Sequence, residues 1–256
     1  VVGINRNRWT ELSGITGRIG RNAHMSCNKS SDTVTKACRG RSSELPRGPT
    51  PYGGGIQMIP RPEDVDLEVL SRRYGRPREY FVRLQQSPDT FEYFAEQVRS
   101  KRKRGEVTLV IWLGGKLLLH TKDFYPVGTY RLLSGGIEWA ESADAAAVRE
   151  TGEETGLRGS VRRFLGLVRY ELVRRDTGVV LPYPSYLLEM EIGDGEPAPP
   201  GDEERITAFR SIAPEALAEI ADSLRALTGK WADWGEFRAV THSLLHELLS
   251  TGRNYA

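Results

Sequence analysis

The chain has 256 residues, 39% of them hydrophobic and 27% charged, which allows one large domain or one medium domain with appendages. No apolar run approaches the roughly 20 residues needed to cross a bilayer, and the start lacks a secretory pattern, so membrane spanning and Sec-type export are disfavoured. The net charge of +2 hides an asymmetry, because residues 1–60 hold nine Lys/Arg against three Asp/Glu and the remainder is mildly acidic.

The basicity of the leader therefore gives no support to nucleic-acid binding by the body. Cys27 and Cys38 also fall in the leader. The body has no cysteine for a disulfide framework, a thiolate metal site or a nucleophile. Residues 1–57 show no sustained apolar periodicity and are rich in Gly, Ser, Asn, Thr and Arg, a composition that cannot offset ordering entropy. The sequence begins at Val1, and Met58 sits just before the first patterned segment. Residues 1–57 are expected to be a disordered or non-native leader, with a basic tethering arm as the alternative.

Residues 58–105 are expected to form a helical N-terminal extension. One helix is predicted over 64–74, stopping at Gly75, and a second over 88–104, with Phe91, Phe94 and Val98 at helical spacing. The basic run from Arg99 to Arg104 reads as a solvated helix end, with a phosphate- or RNA-facing patch as the competing reading.

Residues 106–256 read as the main domain. Strands are predicted over 107–113 and 116–122 around the turn Gly114-Gly115, then over 129–133. A helix is predicted over 142–155, with Ser142 as N-cap and Gly156 as its stop. Two strands follow, 161–174 and 179–192, joined through Asp176-Thr177-Gly178. After an acidic loop over 193–204 come a strand at 206–212 and helices at 214–227 and 233–249. Strands interleaved with a few helices indicate α/β or α+β layering.

The informative stretch is 135–157. At about 100° per residue, Glu150, Glu153 and Glu154 share one helix face, and Ala145, Val148, Gly152 and Thr155 share the opposite one. The small face is expected to pack on a sheet while the three carboxylates project away from it. Like charges so placed repel, and a divalent cation relieves that; oxygen ligands of this kind suit Mg2+ or Mn2+. Arg149 can orient a carboxylate through charge-assisted hydrogen bonds, and Gly135-Gly136 allows close backbone approach. The implied chemistry is metal-assisted attack of water on a phosphate. Three Glu on one helix face are more often a solvated surface. The complete spacing is another matter: seven fixed residues arise by chance in roughly one window in 10⁸ on average usage.

The stretch resembles the Nudix box, Gly-x5-Glu-x7-Arg-Glu-U-x-Glu-Glu-x-Gly-U, at every fixed position. Thr151 replaces the first aliphatic U, and Leu133-Ser134 stands where many members have Pro. The resemblance covers about 106–227. It implies a Nudix-like α/β/α sandwich around a mixed sheet, here with an N-terminal helical extension and a C-terminal helix. It also implies Mg2+-dependent hydrolysis of a pyrophosphate bond in a nucleoside diphosphate linked to another moiety. Nucleotide sugars, ADP-ribose-like compounds and nucleoside triphosphates are the candidate substrates. Carried onto matching positions, Glu150, Glu153 and Glu154 are metal ligands, Glu141 is an accessory carboxylate, Arg149 is the orienting partner, and Gly135 and Gly136 supply the loop. Members often add a Glu from a later loop, for which Glu203 or Glu204 is nominated, with Asp202 close behind.

Arg131, Lys122 and Arg169 are candidate phosphate binders. His242 and His246 stand at i, i+4 without a third ligand, which argues against zinc. Trp231, Trp234 and Phe237 are expected to anchor the last helix rather than stack on a base. The expected setting is cytoplasmic, with a small-molecule nucleoside diphosphate derivative as partner, no nucleic acid or membrane, and a homodimer left open. The alternative function is a non-catalytic nucleotide-sensing module on the same fold. Such modules usually lose box carboxylates, and this chain keeps them all. An isoprenoid diphosphate isomerase would rely on an active-site Cys that the body lacks.

Overall fold

Strand β2 (Lys103–Leu113) shows how the layers arise. Its alternate side chains Val107, Leu109 and Ile111 enter one core and Val110 enters the other, so the strand is buried on both faces, as a central strand must be. The computed structural model describes residues 61–198, 201 and 203–251. The expectations for residues 1–57 lie outside the described residues.

The elements before β2 are helix α1 (Pro62–Tyr74), strand β1 (Arg78–Gln86) and helix α2 (Pro88–Arg99). After it come β3 (Lys116–Lys122), β4 (Arg131–Glu138), helix α3 (Ala143–Thr155), β5 (Gly159–Arg174), β6 (Val180–Ile192), β7 (Ile206–Ile212), α4 (Leu217–Arg225) and α5 (Ala232–Thr251). The seven strands form one mixed sheet in the order β1-β5-β6-β2-β4-β3-β7. β1 runs parallel to β5 and β2 parallel to β6; the other neighbours are antiparallel.

Helices cover both faces. Leu70 of α1 and Ala143, Ala146 and Ala147 of α3 pack with Val107, Leu133, Ile137 and Tyr186 on one side. Phe94 of α2, Leu217 of α4 and Phe237 and Leu245 of α5 pack with Val110, Leu119, Val168 and Tyr170 on the other. Each fully buried Leu, Ile, Val or Phe among these contributes about 1.5–3 kcal/mol. The architecture is the expected α/β one. Among the described residues no helix is long and apolar enough to cross a membrane.

The extension differs from the all-helical expectation, because residues 78–86 form β1 and lengthen the sheet beside β5. The alternation is in the sequence: Tyr80, Val82 and Leu84 turn toward the core while Glu79, Phe81, Arg83 and Gln85 stay exposed, the period-two pattern of a half-buried strand. The second helix also stops at Arg99. Arg102 takes a positive φ of 53°, which reverses the chain and delivers Lys103 and Arg104 into β2. The basic run is thus divided between a helix end, a turn and a strand.

Candidate active site

Helix α3 starts and stops on its own signals. The Ser142 hydroxyl accepts from the Ala145 N–H, and Gly156 ends the helix with φ 69°, a left-handed residue that glycine adopts without steric cost. Its inner stripe begins with Ala143, Ala146 and Ala147 and continues as Glu150, Thr151 and Glu154. Glu150 is 6% and Glu154 0% exposed, whereas Ala145, Val148 and Glu153 face solvent. This overturns the expected orientation at Ala145 and Val148, although Thr155 is buried as expected: two of the three carboxylates point inward along the sheet, and only Glu153 points away. The alanine row fixes the contact face, and the same i, i+3, i+4 spacing then carries Glu150 and Glu154 inward.

Room for Glu150 comes from β4. Gly135 pairs with Val107 and Gly136 with Glu106, and a Cβ at position 135 would stand 1.7 Å from the Glu150 carboxyl carbon. Arg149 joins the loop to the helix. Its guanidinium donates to Glu141 at 2.6 and 3.2 Å, to Glu150 and Glu153 at 2.7 Å each, and to the Gly136 carbonyl at 2.9 Å. Its hydrogen bonds to Glu141 and the surrounding carboxylates hold its pKa above the usual arginine range, against partial burial. Burial acts to raise Glu141, but the bonds from Arg149 and the Glu138 N–H outweigh it and leave that carboxyl below its ordinary value.

The two inward carboxylates behave in the opposite way. Burial, with Glu154 and Glu153 nearby, pushes Glu150 up to about 7 against the pull of Arg149. Burial likewise raises Glu154, opposed by Lys122 and Arg131. Neither Glu154 oxygen has a hydrogen-bond partner among the described residues; Lys122 Nζ stands 3.4 Å from Oε1 and His120 Nδ1 3.8 Å from it. Lys122 also donates to Glu204 at 2.8 Å, which links the later loop to the cluster. Glu203 is exposed and makes no polar contact with the cluster among the described residues; Asp202 lies outside them.

Other predicted residues make different contacts. Arg131 is buried, and its guanidinium donates to Tyr125 Oη, the Leu132 carbonyl and Ser134 Oγ, so it is a structural cation beneath the loop rather than a surface one. Arg169 is engaged by Glu63, Asp64 and Glu79 near the N-terminus of α1. Phe237 packs on Phe94, Tyr170 and Tyr183, and Trp234 on Tyr125, the anchoring role expected of them. His242 is a neutral core group: Nδ1 donates to the Arg238 carbonyl and Nε2 accepts the Leu132 N–H.

Sequence reasoning missed two supports of the loop. Arg238 of α5 donates to both Glu106 oxygens at 2.9 and 3.1 Å and to Ser134 Oγ at 3.0 Å, a buried pair directly behind Gly136. Arg104 ties Asp66 of α1 to the Glu141 carbonyl, and Asp144 accepts from Arg73 and Tyr74 of α1. Arg238 stands alone on its helix and Arg104 ends a basic run at the start of β2, and neither position carries a pattern that separates these contacts from solvated charge.

No three His, Cys, Asp or Glu side chains among the described residues form a ready-made ion cage, because Arg149 lies between Glu141, Glu150 and Glu153. The donor chemistry nevertheless fits a hard divalent cation: buried carboxylate oxygens without hydrogen bonds, beside a second carboxylate whose protonation burial favours.

The NUDIX domain family matches residues 102–234. Similar solved structures include an ADP-ribose pyrophosphatase from Streptococcus suis, 18% identical over 59% of this chain and 94% of that one, with a TM-score of 0.36. A NUDIX hydrolase from Nitrosomonas europaea is 20% identical over 60% and 92% of the two chains, with a TM-score of 0.41. A UDP-X diphosphatase is 17% identical over 64% and 72%, with a TM-score of 0.39. No curated protein matches this chain.

Proposed function

This chain belongs to the Nudix family of hydrolases, and we propose on that premise that it cleaves the pyrophosphate bond of a nucleoside diphosphate linked to another moiety, with Mg2+ or Mn2+ as cofactor. The observation that carries the reading is Glu154, a fully buried carboxylate with neither oxygen hydrogen-bonded. Lys122, 3.4 Å from one of its oxygens and shared with Glu204, offsets that burial only in part, and a bound divalent cation would complete the group.

Glu150, Glu153 and Glu154 would hold the ion, with Glu141 as the accessory carboxylate. Once bound, a divalent ion draws charge from the phosphate oxygens and favours attack by water. The remaining work belongs to the chain. Arg149 gathers Glu141, Glu150 and Glu153 around the Gly136 carbonyl and so sets the directions of their oxygens. Gly135 and Gly136 bring backbone close to the pyrophosphate. Lys122 supplies a positive charge to an anionic substrate. Glu204, tied to the cluster through Lys122, is the acid assigned to orient or deprotonate water. A cytoplasmic setting is part of the same proposal.

The test is product release from ADP-ribose, nucleotide sugars, dinucleoside polyphosphates and nucleoside triphosphates with Mg2+ or Mn2+, run beside Glu153→Gln/Glu154→Gln. Metal-dependent turnover that disappears in the double variant supports the reading. Turnover that survives it, or tight substrate binding with no turnover, sinks it.

A further inference from the structure

β1 ends the sheet at the edge away from β7, and among the described residues no strand lies beyond it. Such an edge presents backbone donors and acceptors to any matching strand. The outward row on the α1 side is Glu79, Phe81, Arg83 and Gln85. Phe81 is 78% exposed, with the Arg169 guanidinium 5.9 Å from its ring. A cavity of about 280 Å³ opens beside it, lined in part by Arg83, Arg169, Tyr183 and Pro184.

We propose that this edge pairs with the same edge of a second copy, antiparallel, with the two-fold axis passing through Phe81. An isologous contact must match residue i with j and j with i, and directly opposed residues of an antiparallel pair lie on the same face. Centring the axis on Tyr80 sets Glu79 against Phe81. Centring it on Val82 sets Phe81 against Arg83 and Glu79 against Gln85. Centring it on Phe81 sets Glu79 against Arg83 twice and brings the two Phe81 rings together, with Tyr80 against Val82 on the other face. Within the chain Glu79 already pairs with Arg169 and Arg83 with Glu171, so this register extends the two pairs into an alternating row, Arg169–Glu79 of one copy meeting Arg83–Glu171 of the other, around the apolar contact at the axis.

Sedimentation of the full chain across the micromolar range tests the contact. A dimer is expected, weakened about tenfold by Glu79→Arg or Arg83→Glu, each of which removes two cross-strand pairs. The combined Glu79→Arg/Arg83→Glu variant restores it. Position-specific crosslinking guards against variants that merely misfold. With Cys27 and Cys38 replaced by Ser, Phe81→Cys forms an intermolecular disulfide, because two-fold-related positions on the axis lie within bridging distance, and Gln85→Cys does not. A chain that remains monomeric, including one whose edge is taken by residues 1–60, overturns the proposal. So does a double charge swap no better than the single ones, or equal crosslinking at both positions.

Discussion

Glu150 occupies the space that a side chain at Gly135 would need, with 1.7 Å between its carboxyl carbon and the site of a Cβ at that position. The relationship joins β4 to α3 at the centre of the site. Gly135→Ala is expected to push Glu150 out of place, lowering kcat/KM by about 10²-fold and destabilising the fold by about 1–3 kcal/mol through overpacking. Steady-state kinetics with a thermal melt check both. An unaffected kcat/KM would show that the position of Glu150 does not govern turnover.

Glu154 should separate stability from function. Its carboxyl is raised by burial, so the folded state favours the proton, and stability declines as pH rises above the ordinary range near 4.5. Glu154→Gln, neutral at every pH, is expected to be more stable than the parent at pH 8 and to lose that advantage toward pH 4.5. The same variant is expected to bind Mn2+ at least about tenfold more weakly. Urea titrations at both pH values and Mn2+ calorimetry give the two readouts. Loss of stability at pH 8 would mean that the carboxylate is already well compensated.

Acid stability is expected to depend on His242. Burial, with Arg131 and Arg238 nearby, lowers its pKa from 6.5 to about 3, against the bond to the Arg238 carbonyl. Between those values the unfolded chain holds a proton that the folded chain refuses, so stability falls as pH drops from about 6.5 toward about 3, by roughly 1.4 kcal/mol per unit. His242→Gln retains an acceptor and a donor but cannot titrate, and its unfolding free energy should fall less steeply over that window. Parallel slopes would refute the assignment.

The pair Glu106–Arg238 supports the loop from behind. Arg238→Met leaves Glu106, itself 3% exposed, without its cation, and should cost about 3–5 kcal/mol. Adding Glu106→Gln should recover a large part of that loss. A double-mutant cycle by chemical denaturation measures the coupling, and additive losses would show that the two residues act independently.

The sequence by itself was enough for the family and for local structure. The Gly135–Glu141–Arg149–Glu150–Glu153–Glu154–Gly156 spacing marks the Nudix box, and Ser142 and Gly156 bound α3 because capping and left-handed termination act within a few residues. β1 is written in the alternation of Tyr80, Val82 and Leu84 between two helical segments.

Tertiary structure alone decided which side of α3 faces the sheet. Helical periodicity groups residues into faces but does not say which face meets a partner, and here the partner is a strand whose glycine admits a carboxylate. It likewise decided that Arg238, some hundred residues beyond Gly135 in the chain, lies behind the loop with Glu106. Such a contact leaves no local pattern, because it is set by where α5 docks on the sheet and not by the residues beside Arg238.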